Sequence, residues 1–583
     1  MRSGVRVVAG VGALALIAFG LFHPFGLVQE EYREVVWLAS LWGGTGLFGV
    51  VVWLSQPPMP RGFHRSVFHV GLVVALGFGM LSLQLLRQQI VQADEIYSRV
   101  VVDPSSGHIS SNVRPVLRSQ RILRGNIVDR NGVLLVSSEV VQDGFARRIY
   151  PIAGSFDPTA FGNVVGFLSR RFGQSGLELT YSAYLSGERG STLARIQDEM
   201  LGRPQVGNNL VLTLDANLQA QAYALLGERN GSVVVLDAKS GAVLAMVSVP
   251  GFDPRGLSFD YAVEDWAAED ARTEAYWRHL NSDAAGQPLI NRPTQGLYPP
   301  GSTFKTVTAV AALEHAAVAR PDDIHCMDEF YPDPHTPPVV NAVRYGLSSF
   351  TGDPSNLERV YAYSCNVAFA QYAIRLGAER LAKQALLFDI YPPHEAPESG
   401  IYPGFPDLLT APSYLYVEPG FLDRPSALAD TGYGQGQLLV TPLQMALVAA
   451  SIANDGVMMR PYLVQRVVRP EGDHPVFEQL PLAIRRVMSK DTARKMRENM
   501  RAVGNYGFGS VVNQYAPPGV VIGGKSGTGE HVPGMPPHSW FLAIAPVDDP
   551  RYAVAVMVES GGEGSSVAAP LAGQVMRAAF ENE

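Results

Sequence analysis

The sequence is poor in cysteine, with only Cys326 and Cys365 among 583 residues. A small domain stapled by many disulfides needs more cysteines, and so does a structural zinc site built on cysteine. Both classes are therefore excluded, and one disulfide in an oxidising compartment is the remaining use of the pair. The sequence also lacks internal repeats and low-complexity tracts, and its length predicts two or three domains.

A long run of basic residues is missing as well. Lys and Arg together number 46 against 54 Asp and Glu, which gives a net charge of −8 at pH 7. Nucleic-acid binding depends on clustered positive charge, so we expect no nucleic-acid partner. We also predict neither a cofactor nor a metal site.

The first ninety residues contain the long apolar stretches of the chain. Three stretches approach the ~20 residues that a helix needs to cross a bilayer, namely Val7 to Val28, Val35 to Leu54 and Val67 to Leu86. The first also resembles a cleavable signal peptide, because Arg2 and Arg6 precede a short apolar core. No small-x-small cleavage site follows it, however, and two more stretches come after it. We therefore predict a membrane anchor of three transmembrane helices over residues 1–91.

The arginines of this region predict its orientation. Arg2 and Arg6 precede the first stretch, and Arg61 and Arg65 lie between the second and third. The loop Gln29 to Glu34, by contrast, is net negative. Because cytoplasmic loops carry the excess of Arg and Lys, both arginine pairs are placed in the cytoplasm. Three crossings then leave the chain after Leu86 outside, in a multi-pass protein of the cytoplasmic membrane.

Two further domains are expected after the anchor. Residues 92–206 are polar with short apolar pieces, and Arg124 to Gly132 indicates a strand that runs into a turn, because Asn-Gly favours positive φ. Val133 to Val136 then continues as a second strand. We predict a small β-rich domain over residues 92–206.

Residues 207–583 are predicted to form an α+β domain, with strands at both ends and helices between them. The expected strands are Asn209 to Asp215, Ser232 to Leu236, Ala242 to Val249, Val520 to Thr528, Trp540 to Ala545 and Tyr552 to Val558. Leu218 to Leu226 and Pro570 to Phe580 read as helices. Two Pro-rich stretches, Tyr331 to Pro338 and Tyr391 to Pro425, read as long loops, and we expect the second to border a functional site.

Ser302 and Lys305 form the first chemical motif. The Pro and Gly residues before Ser302 interrupt any regular structure that precedes it, and Thr303 to Glu314 has a helical apolar pattern. Ser302 would then lie at a helix N-terminus, with Lys305 one turn later on the same face. A serine hydroxyl needs a neighbouring base, and a desolvated lysine can be that base. A capping serine beside a solvated lysine gives the same short pattern.

Two more motifs lie in the same domain. Ser364-Cys365-Asn366 opens an apolar helical stretch, where plain helix capping is the alternative interpretation. Gly523 to Gly529 reads as a strand that contains Lys525. Its glycines would let another backbone come close, for example a peptide substrate that lies along the edge of the strand. A Gly-rich turn is the alternative there.

In this order, Ser-x-x-Lys, Ser-x-Asn and Lys-Ser-Gly resemble the signature of penicillin-binding proteins and serine β-lactamases. The resemblance to class B penicillin-binding proteins extends from about Arg124 to the end of the chain. It also rests on Arg124 to Gly132, Gly176-Leu177-Glu178 with Tyr181, Gly434-Gln435-Gly436 with Thr441-Pro442, and Gly561-Gly562 to Pro570. It implies a transpeptidase domain, an antiparallel sheet flanked by helices, over residues 207–583 and a pedestal (dimerisation-like) domain over residues 92–206.

The resemblance further implies a D,D-transpeptidase that cross-links peptidoglycan stem peptides ending in D-Ala-D-Ala and is acylated by β-lactams. Ser302 would attack the penultimate D-Ala carbonyl and Lys305 would take its proton. Ser364 would relay a proton to the leaving D-Ala, and Asn366 would hold both the substrate amide and Lys305.

The third motif is implied to bind the substrate. Lys525 would supply positive potential, and the strand Ser526-Gly527-Thr528 would bind the terminal carboxylate through its two hydroxyls. The backbone N–H groups of Ser302 and Thr528 would form the oxyanion hole, a contribution of ~3 kcal/mol for each donor in other enzymes.

The chain departs from the family pattern in three ways. Ser526 stands where Thr is usual, the pedestal is short, and three membrane spans replace one. Class B members commonly pair with a membrane glycosyltransferase of the SEDS family, so such a partner is implied here, together with the lipid bilayer. The alternatives are a D,D-carboxypeptidase, a β-lactamase, for which we identify no water-activating residue, and a β-lactam sensor or scaffold.

Two further predictions concern particular residues. Cys326 and Cys365 both lie in the exported domain, and we predict that they are bonded. The tripeptide Lys-Ser-Gly occurs twice, at Lys239 and at Lys525. Lys239 lies in a short turn between two apolar runs and precedes Ser302, so we predict that it is a solvated turn residue without a part in the site.

Overall fold

The computed structural model describes residues 2–22, 33–55, 62–88, 100–102, 109–111, 120–141, 144–189, 205–470 and 475–583. The chain divides into two compact units, Met1–Ser119 and Gln120–Glu583.

The first unit contains three helices, Arg2–Phe22, Arg33–Ser55 and Phe63–Leu86. Two of them are long and apolar enough to cross a membrane, over Val36–Ser55 and Arg65–Leu86. The apolar part of the first helix, Gly4–Gly20, is shorter, and residues 23–28 of the first predicted span lie outside the described residues. The described part of the chain therefore has two candidate spans where the sequence predicts three, and the first span stays a prediction.

The strands are numbered in chain order. They are β1 Val100–Val102, β2 Ile109–Ser111, β3 Ile127–Val128, β4 Leu134–Val140, β5 Ala146–Ile149, β6 Leu168–Ser169, β7 Gly173–Gln174, β8 Asn209–Leu212, β9 Gly231–Asp237, β10 Val243–Val249, β11 Glu329–Phe330, β12 Val339–Val340, β13 Ile390–Tyr391, β14 Ser413–Tyr414, β15 Val457–Met459, β16 Val464–Val468, β17 Pro475–Glu478, β18 Ala483–Arg486, β19 Gly523–Gly529, β20 His538–Ala545 and β21 Tyr552–Val558.

The helices of the second unit lie mostly between β10 and β19. They are Gly162–Val165, Gly176–Thr180, Ser182–Leu185, Ala216–Leu226, Trp266–Leu280, Arg292–Gln295, Lys305–Glu314, Ala316–Ala319, Ser348–Thr351, Leu357–Ala362, Asn366–Leu376, Ala378–Leu387, Pro425–Tyr433, Pro442–Ala453, Lys490–Asn505 and Ala568–Glu581.

A six-stranded sheet has the order β17-β16-β8-β3-β4-β5. Its β3–β4 hairpin turns at Asn131-Gly132, as predicted, with Gly132 at φ 84°. β3 pairs in parallel with β8, so that Ile127 lies opposite Leu210. Strands from both sides of the boundary expected between residues 206 and 207 therefore share hydrogen bonds in one sheet, and the boundary itself stays a prediction.

A five-stranded antiparallel sheet has the order β10-β9-β21-β20-β19. β9 comes early in the unit and β21 late, and their pairing confirms that distant segments close one sheet. Apolar side chains alternate between two clusters on its opposite faces, so that Val554 and Ala555 enter different cores. Helices Ala216–Leu226 and Ala568–Glu581 cover one face, and Pro442–Ala453 covers the other. Burial on both faces explains the unbroken apolar runs of these strands.

Both predicted loops are irregular in the structure. Residues 331–338 connect the short strands β11 and β12. Residues 391–425 contain only two-residue strands and single helical turns before the Pro425–Tyr433 helix begins. In this second loop Tyr414 pairs with Leu439, and Val440 next to it pairs with Tyr298. The loop thus reaches the segment that leads into the first motif.

Candidate active site

Ser302 lies in a tight helical turn, Gly301–Phe304, which continues directly into the helix Lys305–Glu314. The sequence predicts an α-helix from Thr303, and the structure instead winds this first turn as a 3₁₀-helix. Gly301 enters it at φ 53°, a left-handed conformation that favours glycine. Ser302 is partly exposed whereas Lys305 is fully buried.

Close backbone approaches hold this turn in place. A Cβ atom on Gly301 would lie 2.1 Å from the carbonyl oxygen of Thr528, and one on Gly434 would lie 1.8 Å from the carbonyl oxygen of Gly301. Both distances are too short for any side chain, so the turn lies between β19 and the Gly434 segment with no room to shift. This packing explains why glycine stands at both positions.

Lys305 connects the first motif to the second. Its Nζ donates to the carbonyl oxygen of Ser364 at 2.7 Å, to Ser364 Oγ at 3.0 Å and to Asn366 Oδ1 at 2.6 Å. Burial, and next the positive charge of Lys525, lower the pKa of Lys305 well below its usual value. A lysine in this environment loses its proton readily and suits the role of a general base. Ser302 Oγ makes no hydrogen bond with the described residues.

Ser364 and Asn366 are fixed by the backbone around them. Ser364 has φ 55°, a conformation that costs a non-glycine residue ~1–3 kcal/mol and is commonly found at functional sites. Cys365 caps the helix Asn366–Leu376, so Asn366 is its first residue. Asn366 Nδ2 donates to the carbonyl oxygen of Val340 at 2.9 Å, which leaves Asn366 Oδ1 to accept from Lys305.

The predicted disulfide is confirmed. Cys326 and Cys365 are bonded, with 6.2 Å between their Cα atoms and 39 residues of separation along the chain. Closing a loop of this length stabilises a protein by about 4 kcal/mol in the chain-entropy account. The bond ties the second motif to the segment that contains Val340, the acceptor for Asn366.

Lys525 lies on β19, at the edge of the five-stranded sheet. Its Nζ donates to Ser364 Oγ at 3.0 Å and to the carbonyl oxygen of Ser526 at 2.9 Å. The hydroxyl of Ser364 thus accepts from both lysines. Burial lowers the pKa of Lys525 to about 7. Ser526 is nearly buried and Thr528 is partly exposed on the same strand, next to the turn of Ser302.

The second Lys-Ser-Gly lies elsewhere, as predicted. Lys239 is in the turn between β9 and β10, and β21 and β20 separate β9 from β19. Its side chain is 47% exposed, and its Nζ donates to the carbonyl oxygen of Ala453 at 3.3 Å. Ser240 donates through its hydroxyl to Asp237 Oδ1 at 2.7 Å, an ordinary turn contact.

The structure therefore brings all eight candidate residues together around one turn and one strand edge. These residues are Ser302, Lys305, Ser364, Asn366, Lys525, Ser526, Gly527 and Thr528. Sequence reasoning missed three residues beside them, Arg292, Tyr298 and Glu559, which share one hydrogen-bonded cluster. Tyr298 stands four residues before Ser302, but Glu559 is 257 residues beyond Ser302 and has no local pattern that would point to it.

Comparison with known protein families identifies two matches. Residues 231–577 match the family described as penicillin binding protein transpeptidase domain. Residues 124–210 match the family described as penicillin binding protein A dimerisation domain. The first match covers the five-stranded sheet and all three motifs, and the second covers β3 to the start of β8.

Individual relatives agree with these families. The peptidoglycan D,D-transpeptidase PbpA of Mycolicibacterium smegmatis is 34% identical over 79% of this chain and 91% of its own length. The peptidoglycan D,D-transpeptidase MrdA of Haemophilus influenzae is 30% identical over 71% of this chain and 64% of its own length. Among solved structures, the ceftriaxone acyl-enzyme complex of penicillin-binding protein A from M. tuberculosis superimposes with a TM-score of 0.70 at 31% identity, covering 80% of this chain and 100% of that one.

Proposed function

The chain belongs to the class B penicillin-binding proteins and is a serine-type peptidoglycan D,D-transpeptidase, and from that premise we propose that Ser302 is its nucleophile and Lys305 its general base. The observation that carries the assignment is the buried Lys305 Nζ, which lies within 3.0 Å of both Ser364 and Asn366. Burial lowers the pKa of Lys305, which favours the neutral form that can accept a proton.

The first half-reaction transfers the stem peptide to the enzyme. Ser302 Oγ attacks the carbonyl carbon of the penultimate D-Ala, and its proton passes to Lys305 Nζ. The backbone N–H groups of Ser302 and Thr528 donate to the oxyanion of the tetrahedral intermediate. The C–N bond then breaks, and the leaving D-Ala nitrogen receives the proton through the hydroxyl of Ser364, which is within 3.0 Å of Lys305 Nζ.

The second half-reaction releases the cross-linked product. The amine of a second stem peptide attacks the acyl carbon on Ser302, and Lys305 takes the proton of that amine. When the Ser302–acyl bond breaks, the proton returns to Ser302 Oγ and the enzyme regains its starting state. A β-lactam enters the first half-reaction in the same way, because its ring carbonyl takes the position of the D-Ala carbonyl.

The edge of β19 binds the terminal carboxylate of the substrate. Within the described strands β19 pairs with β20 alone, so its other edge has no strand partner and can pair with an extended peptide. The hydroxyls of Ser526 and Thr528 and the main chain of Gly527 contact the peptide end. Lys525 supplies positive charge, and its pKa of about 7 keeps a substantial part of it protonated at neutral pH.

A comparison of the two Lys-Ser-Gly lysines tests this assignment. Lys525→Ala removes a charge next to the carboxylate, so we expect acylation by penicillin to slow by about ten- to a hundredfold. Lys239→Ala removes a half-exposed turn residue and should change the rate by less than about threefold. If Lys239→Ala proved the slower enzyme, the assignment of the carboxylate site to β19 would be wrong.

We also propose how the remaining chain serves this reaction. Residues 1–91 anchor the protein in the cytoplasmic membrane through three helices, residues 92–206 form the pedestal, and residues 207–583 act outside the membrane. The two apolar helices of spanning length support this arrangement. Membership of class B supports a SEDS-family glycosyltransferase as the partner that polymerises the glycan.

Introduced thiols test the three-helix topology. The two native cysteines are bonded to each other, so a single added cysteine is the reactive thiol of the protein. We expect Gln29→Cys to react with an impermeant thiol reagent in intact cells and Ser66→Cys to resist it, because the first loop lies outside and the second inside. The reverse pattern would exclude the topology.

A further inference from the structure

Glu559 lies directly after β21 and accepts two hydrogen bonds through one oxygen. Arg292 Nε donates to Glu559 Oε1 at 2.8 Å, and Tyr298 Oη donates to the same atom at 2.7 Å. The side chain of Arg292 is 3% exposed and that of Glu559 is 24% exposed. Both donors are largely buried, and the Glu559 carboxylate accepts a hydrogen bond from each. Its removal would therefore leave the Arg292 Nε–H and the Tyr298 hydroxyl without this acceptor.

The sheet fixes the carboxylate end of this cluster. The N–H of Glu559 donates to the carbonyl oxygen of Asn230 at 2.8 Å, beside the first residue of β9. Arg292 is held independently, since its guanidinium also donates to the carbonyl oxygen of Gly286 at 2.9 Å and its N–H donates to Ser248 Oγ at 3.1 Å. Glu559 and Arg292 therefore form a rigid support attached to β9, β10 and β21.

Tyr298 connects this support to the turn of Ser302. Its N–H and its carbonyl oxygen both pair with Val440, at 3.0 Å each. Its ring meets that of Trp540 edge-on, and Trp540 Nε1 donates to the carbonyl oxygen of the next residue, Pro299, at 3.0 Å. The hydrogen bond from its hydroxyl to Glu559 thus fixes the side chain of a residue that stands four positions before Ser302, in the segment that leads into the turn.

The position of the Ser302 turn must be accurate because the turn supplies one of the two donors of the proposed oxyanion hole. Donors must lie within about 2.7–3.1 Å of the oxyanion, and a misplacement of ~1 Å costs about a hundredfold in rate. The other donor, Thr528, is on β19, which joins β21 through β20. A clamp from the end of β21 to Tyr298 therefore ties the turn to the sheet that carries Thr528.

We propose that Glu559, together with Arg292 and Tyr298, is a positioning cluster that sets the Ser302 turn against β19 and so controls the rate of the acylation step. This proposal rests on the proposed role of Ser302 as nucleophile. The three residues make no hydrogen bond to the eight candidate residues in the described structure, and in this proposal they act on the transition state only through the main chain of Ser302.

The chain contains a matched control for this cluster. Tyr402 Oη donates to Asp389 Oδ2 at 2.9 Å, and Arg485 Nη1 donates to Asp389 Oδ1 at 2.6 Å. Tyr402 and Asp389 are both nearly fully buried. This is a related Arg–carboxylate–Tyr arrangement, in which the two donors use separate carboxylate oxygens, and its residues make no hydrogen bond to the eight candidate residues in the described structure. Tyr298→Phe and Tyr402→Phe therefore remove one equivalent hydrogen bond each.

Acylation by a fluorescent penicillin, measured over a concentration series in the full-length protein, separates the acylation rate constant from the dissociation constant of the initial complex. We expect Tyr298→Phe to lower the rate constant by about tenfold or more while the dissociation constant changes by less than about twofold. Tyr402→Phe should leave both constants within about twofold of the wild type while lowering the melting temperature to a similar extent. Equal slowing by both variants, or none by Tyr298→Phe, would overturn the proposal.

A second comparison decides the matter if Tyr298→Phe fails to fold. Glu559→Gln keeps an oxygen acceptor for Tyr298, whereas Glu559→Ala removes it, so the Gln variant should retain at least about threefold more of the rate constant. If the acylation rate constant fell equally in Glu559→Gln and Glu559→Ala, the proposal that Glu559 positions the turn as an acceptor for Tyr298 would be overturned. Peptide mapping of the adduct distinguishes a failure of the nucleophile assignment from a failure of the positioning cluster. An adduct on a residue other than Ser302 would refute Ser302 as the nucleophile. An adduct that forms on Ser302 of the Tyr298→Phe variant at the wild-type rate would refute only the positioning cluster.

Discussion

Ser302→Ala is expected to abolish covalent labelling by penicillin. The Ser302 hydroxyl is the nucleophile in our account, and in a serine hydrolase the loss of the nucleophile lowers turnover by about a millionfold. The fold should survive, because Ser302 is partly exposed and its hydroxyl makes no hydrogen bond with the described residues. Intact-mass analysis should therefore show one adduct on the wild type and none on the variant.

Ser240→Ala is the control for this change. Ser240 belongs to the Lys-Ser-Gly of the β9–β10 turn, where its hydroxyl donates to Asp237, and its loss should leave the adduct intact. An adduct that persists on Ser302→Ala would contradict the assignment of the nucleophile, and so would the absence of an adduct on the folded wild type.

Lys305→Met is expected to have the second largest effect. The substitution keeps most of the side-chain volume and removes the general base, which contributes about 10²- to 10⁴-fold in other enzymes. Burial disfavours a charge at this position, but the Ser364 carbonyl oxygen and Asn366 Oδ1 lose their donor, so the melting temperature of the variant is measured beside its acylation rate. A measured acylation rate within about threefold of the wild type in this variant would exclude Lys305 as the base.

The same lysines predict the pH dependence of acylation in the wild type. In the proposed mechanism Lys305 acts in its neutral form, so the second-order rate constant should rise with pH until Lys305 has lost its proton, well below the pKa of an ordinary lysine. Lys525 acts in its charged form, so the constant should fall again as the pH passes about 7. Lys305→Met should lose the rising part of the profile, and Lys525→Ala should lose the falling part.

Much of the fold could be predicted from local patterns. The apolar runs at Ser232 to Val249 and at Trp540 to Val558 indicate strands, and they form β9, β10, β20 and β21 within one or two residues. Asn131-Gly132 indicates a hairpin, which the structure confirms. The parallel pairing of β3 with β8 has no such signal, because it joins segments about eighty residues apart. For this reason the sequence does not indicate that strands on the two sides of the expected boundary share one sheet.

The site was predictable only in part, for a related reason. Each motif residue stands in a short pattern with a chemical meaning, and the order of the three patterns indicates that they meet. Arg292 and Glu559 stand in no such pattern, and they meet across 267 positions of the chain. The left-handed φ of Ser364 is equally hidden from the sequence, because this conformation is usually signalled by a glycine and serine stands here instead.

Product analysis tests the central claim most directly. The full-length protein is placed in lipid vesicles with a SEDS-family polymerase and lipid-linked pentapeptide substrate, and the glycan is digested and analysed by mass spectrometry. Our account predicts cross-linked peptide dimers with release of D-Ala, and no dimers with Ser302→Ala. Trimmed tetrapeptide as the sole product, or dimers that persist with Ser302→Ala, would contradict a transpeptidase that acts through Ser302.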